Sequence, residues 1–140
     1  EMCIRDRRLV RRVCEACAEP YQPGPLELRR LGFTGSELAG AAFRLGKGCP
    51  LCRYSGYKGR VGVFELLVLN EQLKEALLAR RTSTEIRRIS VETSGLVTLL
   101  EDGLVKAAQG QTSLAEIIRY MPRLERARPL ADLKRILGVA

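Results

Sequence analysis

Cys14-Glu15-Ala16-Cys17 and Gly48-Cys49-Pro50-Leu51-Cys52 are the two segments whose reading decides the fold. Each holds a C-x-x-C pair that can form a knuckle presenting two thiolates from one turn. Two knuckles supply four sulfurs, which suits a closed tetrahedral Zn2+ site. A closed site leaves no open position for a substrate, so Cys14, Cys17, Cys49 and Cys52 are expected to hold a structural ion. The alternative is a pair of redox dithiols. Two matched pairs in a chain without histidine favour the metal. The separation exceeds the commonest zinc-ribbon spacing, so a small helical insert is expected between the knuckles. Cys3 is the odd fifth cysteine and is read as unligated, because four sulfurs already satisfy the ion.

Working outward, Pro20, Pro23, Gly24 and Pro25 mark a turn-rich exit from the first knuckle. Pro25 suits the first turn of a short helix through Leu31, ended by Gly32. Ser36 is an N-cap candidate for a second helix from Glu37 to about Leu45, with Leu38, Ala41, Ala42 and Leu45 on one face. Gly46 and Gly48 open the chain for the second knuckle. Residues 60–68 read as a strand, rich in Val and Leu and buried on both faces near its end. Residues 8–13 read as a short strand or a helix end, and residues 1–7 carry no useful periodicity. With no other strand of comparable strength, the rest of a sheet is expected upstream of Glu1. Beyond the strand, Asn70, the boxes Thr82–Glu85 and Thr98–Glu101, and Thr112 or Ser113 mark successive helix starts. Gly110 is placed just past a helix end, and Pro122 follows the next one. Residues 70–121 are expected to form a helical bundle, followed by a short amphipathic helix from Pro129 to Leu137.

Composition narrows the function. A net charge of +8 admits nucleic acid, anionic lipid or nucleotide phosphate as partner without selecting one. Aromatic content of 5% argues against stacking platforms for single strands. No apolar run approaches the ~20 residues that span a membrane, and no signal peptide is visible. Cysteines used as metal knuckles point to a reducing cytosolic setting. The absence of histidine removes Ser-His-Asp and Cys-His catalysis, and no phosphate-binding G-x-x-x-x-G-K-[ST] loop is present. Glu101 and Asp102 are read as first-turn charges favoured by the helix N-terminus. From these residues alone the chain is a zinc-containing structural or interaction module with no catalytic residues of its own.

Gly48-Cys49-Pro50-Leu51-Cys52-Arg53-Tyr54-Ser55-Gly56-Tyr57-Lys58-Gly59-Arg60-Val61-Gly62-Val63-Phe64-Glu65 reads G-C-x-x-C-x-x-x-G-Y-x-G-R-x-G-x-x-E. It closely resembles the C-terminal part of the ATPases of type II secretion and type IV pilus assembly. Arg8-Leu9-Val10-Arg11 is similar to that family's R-L-V-R. Thr98-Leu99 with Glu101-Asp102-Gly103-Leu104 resembles its T-L-x-x-D-G-L, and Gly110 to Glu116 its G-x-T-S/T-x-x-E. The resemblance covers about Arg8 to Arg119.

The resemblance implies an α/β fold class, α+β within this stretch. It would be the end of a RecA-like P-loop ATPase core with a tetracysteine zinc insert and a C-terminal helical bundle. Residues 1–13 would end an upstream core segment, 14–52 form the zinc subdomain, and 53–69 the last core strand region. Residues 70–121 would be the helical C-terminal subdomain, and 122–140 a tail. The parent would be a cytoplasmic homo-hexamer, peripheral at the inner membrane through the cytoplasmic domains of platform proteins. It would hydrolyse ATP with Mg2+, and no direct nucleic-acid contact is expected. The P-loop, the acidic residues and the trans-acting arginines would lie upstream, so this stretch alone should be inactive. Arg60 is the one residue carried over as near nucleotide, with an ion pair to Glu65 as the competing reading. Residues 1–7 depart from the pattern, Arg7 standing where the family usually has Gln, and are read as a non-native end. The tail is longer than the family's usual end and is read as a dock for a neighbouring subunit or a loose appendage. A free-standing zinc-ribbon nucleic-acid module is the competing function, weakened by basic residues that are dispersed along the chain.

Overall fold

The computed structural model describes residues 2–93, 95–121 and 126–139, with side chains from Asp6 onward. The readings of Cys3 and Pro122 lie outside the described residues.

The first element is β1 (Met2–Val13). It runs into the first knuckle, which is followed by β2 (Ala18–Pro20), α1 (Pro25–Leu31), a 3-10 turn at Ser36–Leu38 and β3 (Arg44–Gly46). A second 3-10 turn, Pro50–Cys52, carries the second knuckle, and β4 (Tyr57–Val68) leaves it. Strands β1 and β4 pair antiparallel, with Val13 opposite Tyr57 and Met2 opposite Val68. Both knuckles therefore hang from one end of a long two-stranded ribbon. The ribbon's register shifts between Arg11 and Val13, where β1 turns toward the cysteines.

The expectation that no strand here matches β4 in strength is corrected by β1, which pairs with it from end to end. From Asp6 onward β1 carries arginines in place of valines: Arg7, Arg8, Arg11 and the apolar Leu9 are exposed, and among the described side chains Val10 and Val13 are buried. Alternation of hydrophobic residues, the signal of a half-buried strand, is thin in such a segment. Cross-strand pairing with β4 supplies what local sequence does not.

After β4 come α2 (Glu71–Leu78), α3 (Ser83–Glu92), β5 (Leu96–Val97), α4 (Leu99–Ala108), α5 (Leu114–Tyr120) and α6 (Leu130–Leu137). The short β5 was not foreseen; it joins the far edge of β4 at Leu66 and Leu67, giving the order β1-β4-β5. Side chains of Asn70, Thr82, Thr98 and Ser113 each accept the N–H three residues on, as the sequence predicts. Each such cap contributes about 1 kcal/mol.

The expected helix from Glu37 to Leu45 is absent. A 3-10 turn ends at Leu38, Gly40 takes φ +82°, and residues 44–46 pair with β2. Glu37 takes the capping role, accepting from the N–H groups of Thr34 and Gly35. The irregular stretch lets both Leu38 and Phe43 reach the core, and Ala42 N–H bonds the Ala108 carbonyl at the end of α4.

The helices do not share one core. α2 and α3 close over a small cluster of Leu67, Leu73 and Leu96. The main core joins Val10 and Val63 of the ribbon, Leu31, Phe33, Leu38 and Phe43 of the insert, and α4, α5 and α6. α4 is buried at every residue except Lys106, the mark of a central helix. Gly103 lets α5 approach it closely, since a Cβ there would stand 2.8 Å from Ile117 Cδ1.

The described part of the tail, residues 126–139, is not a loose appendage. Leu130 and Leu133 of α6 are fully buried in the main core. Arg128 donates from its main-chain N–H and from Nε to Glu101 at 2.9 Å each, and from Nη2 to Glu101 and to the Leu96 carbonyl. Burial pushes the Glu101 carboxyl up, but these donors and the Thr98 N–H outweigh it and hold it below its usual value. A carboxyl depressed on folding stabilises above its unfolded pKa, about 4.3, and that contribution is lost as pH falls through the lower folded value. Arg128→Ala should destabilise by about 3 kcal/mol, having left a buried carboxylate unpaired. It should also flatten the acid limb of a melting-temperature profile below about pH 4; an unchanged limb would contradict this pairing.

Candidate metal centre

The four predicted cysteines come together at the ribbon's end. Cys14 Sγ lies 3.8 Å from Cys49 Sγ, Cys17 Sγ 3.8 Å from Cys52 Sγ, and Cys49 Sγ 3.8 Å from Cys52 Sγ. All four sulfurs lie within 4.8 Å of one another. A tetrahedron with Zn–S of about 2.3 Å has edges of about 3.8 Å, so the donor set fits the ion. Distances across the pairs equal the distance within the second pair. That is one cluster of four sulfurs rather than two independent dithiols.

The surrounding backbone is aimed at the sulfurs. Gly48 N–H donates to Cys17 Sγ, and the N–H groups of Cys49 and Gly56 donate to Cys52 Sγ, each at 3.3 Å. Such donors orient the ligands and spread their charge. Burial pushes the Cys52 thiol up, but these two N–H groups and the neighbouring thiols pull it down to about 6. Burial pushes Cys17 up to about 11, opposed by the Gly48 N–H. Cys17 therefore keeps its proton near neutrality, and a dication binding there has to displace it. The knuckles are brought together by backbone contact: Cys14 N–H bonds the Gly56 carbonyl, and a Cβ on Gly46 would collide with that same carbonyl. Only glycine fits there.

Beside the sulfurs, the remaining motif residues form a polar clasp. Glu116, buried on α5, accepts from Arg11 N–H at 2.9 Å and from Arg11 Nη2 at 2.8 Å. Thr112 Oγ1 donates to the Arg11 carbonyl at 2.7 Å, and Ser113 Oγ lies 2.6 Å from Tyr57 Oη. The Arg11 guanidinium stacks 4.1 Å from the Tyr57 ring centroid, and Val13 N–H bonds the Gln111 carbonyl. R-L-V-R, G-Y and G-x-T-S-x-x-E thus meet at one place. Asp102 of the D-G-L segment accepts from Phe64 N–H at 2.8 Å and from Lys106 Nζ at 2.6 Å. The capping box of Thr98 and Glu101 is formed as expected, but reading the two carboxylates as helix N-terminal charges missed Arg128, the Phe64 N–H and Lys106. Lys106, four residues after Asp102, was the one local signal.

Arg60 stands apart from the cysteines. It is exposed, sits opposite Arg11 in the ribbon register, and lines a shallow cleft of about 210 Å³ with Leu9, Arg11, Glu116 and Tyr120. The ion pair with Glu65 is not formed. Residues five apart on a strand face opposite sides, and Glu65 pairs with Arg87 of α3 at 3.2 Å.

Residues 2–119 match the family model described as Type II/IV secretion system protein. The chain belongs to this family. Among curated members of this secretion family, the type IV pilus assembly ATPase PilB of Thermus thermophilus is 45% identical over 115 residues, covering 82% of this chain. The type II secretion system protein E of Xanthomonas campestris pv. campestris is 34% identical over 116 residues, covering 83%. The type II secretion system ATPase E of Vibrio cholerae is 34% identical over 113 residues, covering 81%. The chain spans 13%, 20% and 22% of these relatives' own lengths, respectively. α6 lies beyond the segment that the family model matches.

The cluster yields a direct expectation. Purified with zinc, the chain should carry one ion, and Cys14→Ser should lower metal content to near zero and lower the melting temperature. A chelator should do the same to the unmutated chain. Metal content of one per chain in Cys14→Ser, with chelator-insensitive stability, would exclude this site. Glu116→Gln should cost about 1–2 kcal/mol in a denaturant titration while leaving metal content intact, since it weakens two charged hydrogen bonds of the clasp, leaves the half-exposed Arg11 to solvent and spares the sulfurs.

Proposed function

We propose that this chain is the C-terminal part of a motor ATPase that drives pilus or pseudopilus assembly in type IV pilus biogenesis or type II secretion. The observation that carries the reading is the convergence of the family's motif segments, from separate parts of the chain, on one clasp beside a four-sulfur cluster. Identity of 45% to a pilus assembly ATPase supports it. In this reading residues 1–13 and 53–69 close a RecA-like core, 14–52 form the zinc module, 70–121 the helical subdomain, and 122–140 a tail. A bound Zn2+ would supply a rigid crosslink between the knuckles and no chemistry on substrate. ATP and Mg2+ would be handled by upstream residues, and the stretch alone would be inactive. The parent would work as a cytoplasmic homo-hexamer held at the inner membrane by platform proteins. The nucleic-acid reading loses ground because Arg11, Arg87, Lys106 and Arg128 are committed to buried carboxylates.

Arg60 is the candidate nucleotide contact of this stretch. Its neighbour across the ribbon, Arg11, is neutralised by Glu116, while Arg60 points its charge to an open cleft without a carboxylate partner among the described residues. A guanidinium so placed can pair with phosphate or pack on a base. In the intact parent, Arg60→Ala should weaken nucleotide binding about tenfold, the scale of one charged hydrogen bond, and should slow turnover. Unchanged affinity and turnover would remove Arg60 from the site. Reading the genomic frame upstream tests the larger proposal: a P-loop and an acidic strand end in continuous frame are expected.

A further inference from the structure

We propose that the second knuckle is a docking surface for an acidic protein segment carrying an apolar or aromatic anchor. Leu51 is 64% exposed and Tyr54 72% exposed, large apolar surfaces three residues apart on the same turn. Arg53 and Tyr54 adopt φ 55° and 63°. Two successive residues with side chains in the left-handed region are costly and persist where the surroundings over-determine them. Here Arg53 N–H bonds the Pro50 carbonyl, and Tyr54 N–H the Cys49 carbonyl at 2.8 Å. The turn therefore fixes the backbone that presents Tyr54 to solvent, so that no backbone ordering is added there when a partner arrives.

Leu51 also forms one wall of a cleft of about 380 Å³ whose base includes the buried Val13 and Cys14. The cleft's rim is basic. Arg12 and Lys58 line it, and Lys58 has no carboxylate partner among the described residues. The lone acid of the rim, Glu15, lies 3.8 Å from Arg12 and is 74% exposed. Arg53 adds a further exposed cation on the turn. A concavity with one apolar wall at Leu51 and a positive rim complements a negatively charged segment that lays one apolar side chain against that wall. A flat anionic membrane would neutralise the rim but would not fill the cleft. The inference goes beyond the motor reading and does not depend on nucleotide.

The test is selection of a random displayed peptide library on the full, zinc-loaded chain, followed by anisotropy titration of the enriched peptides. Enriched sequences should be net negative with a Leu, Met, Phe or Trp anchor. Leu51→Ser with Tyr54→Ser should weaken them about tenfold, and Lys58→Glu about threefold, with metal content and melting temperature unchanged. If the double variant loses metal, Tyr54→Ser and Lys58→Glu alone carry the comparison. Enrichment without an acidic class, or equal binding by the variants, overturns the proposal. So does an effect of these residues confined to phosphatidylglycerol vesicles, or to self-association measured by sedimentation.

Discussion

The buried carboxylate of Glu116 constrains this structure more than any other single group. It is 3% exposed, and a carboxylate so desolvated is tolerable only with a cation and N–H donors at short range. Arg11 provides both, from its guanidinium and from its own main chain. β1 must therefore lie against α5 at this register. The same residue pairs with Arg60 on β4, so the ribbon is fixed too. The first knuckle begins three residues after Arg11 and the second ends five residues before Tyr57, hence the clasp sets the direction in which the sulfurs are presented.

The insert is not a bead on a hairpin. Its sulfurs are local, but Leu31, Phe33, Leu38 and Phe43 are spent on the core that α4, α5 and α6 share. Arg126 reaches from the tail to Glu37 at 3.0 Å, adding a link on the same side. A metal and hydrophobic burial would thus act on different ends of the insert. An ion held by the sulfurs would order the knuckles, while apolar packing of the middle segment binds the insert to the helices at roughly 1.5–3 kcal/mol per buried large side chain. Loss of metal is expected to loosen the first more than the second.

What could be read from sequence was what short-range chemistry determines. The cysteine spacing named the four sulfurs that cluster, and Asn70, Thr82, Thr98 and Ser113 marked helix starts because each caps its own first turn. β4 was legible from its valines, although it begins at Tyr57, before the expected residue 60. The failures are long-range. β1 is arginine-rich, and its strand character comes from β4. The Leu and Ala spacing after Glu37 mimics a helix, yet Gly40 and the need to bury Phe43 break it. The Glu116–Arg11 pair joins residues 105 apart in sequence, where no local period can signal it. The motifs themselves were visible as strings, but the clasp they build was not.

The same logic explains where the chain's positive charge goes. Glu65, Glu101, Asp102 and Glu116 are all buried, and each is matched by a cation, from α3, the tail, α4 and β1 respectively. Buried pairs of this kind add little net stability over apolar packing, because desolvation offsets most of the attraction. Breaking one is costly, however, so each pair disfavours any arrangement that separates its partners. Arg128 illustrates the balance: its Nη1 is buried without a hydrogen-bond partner among the described residues, a penalty that Leu130 and Leu133 offset by covering α4. A central helix buried on nearly every side needs that cover, and the carboxylate of Glu101 determines which part of the tail supplies it.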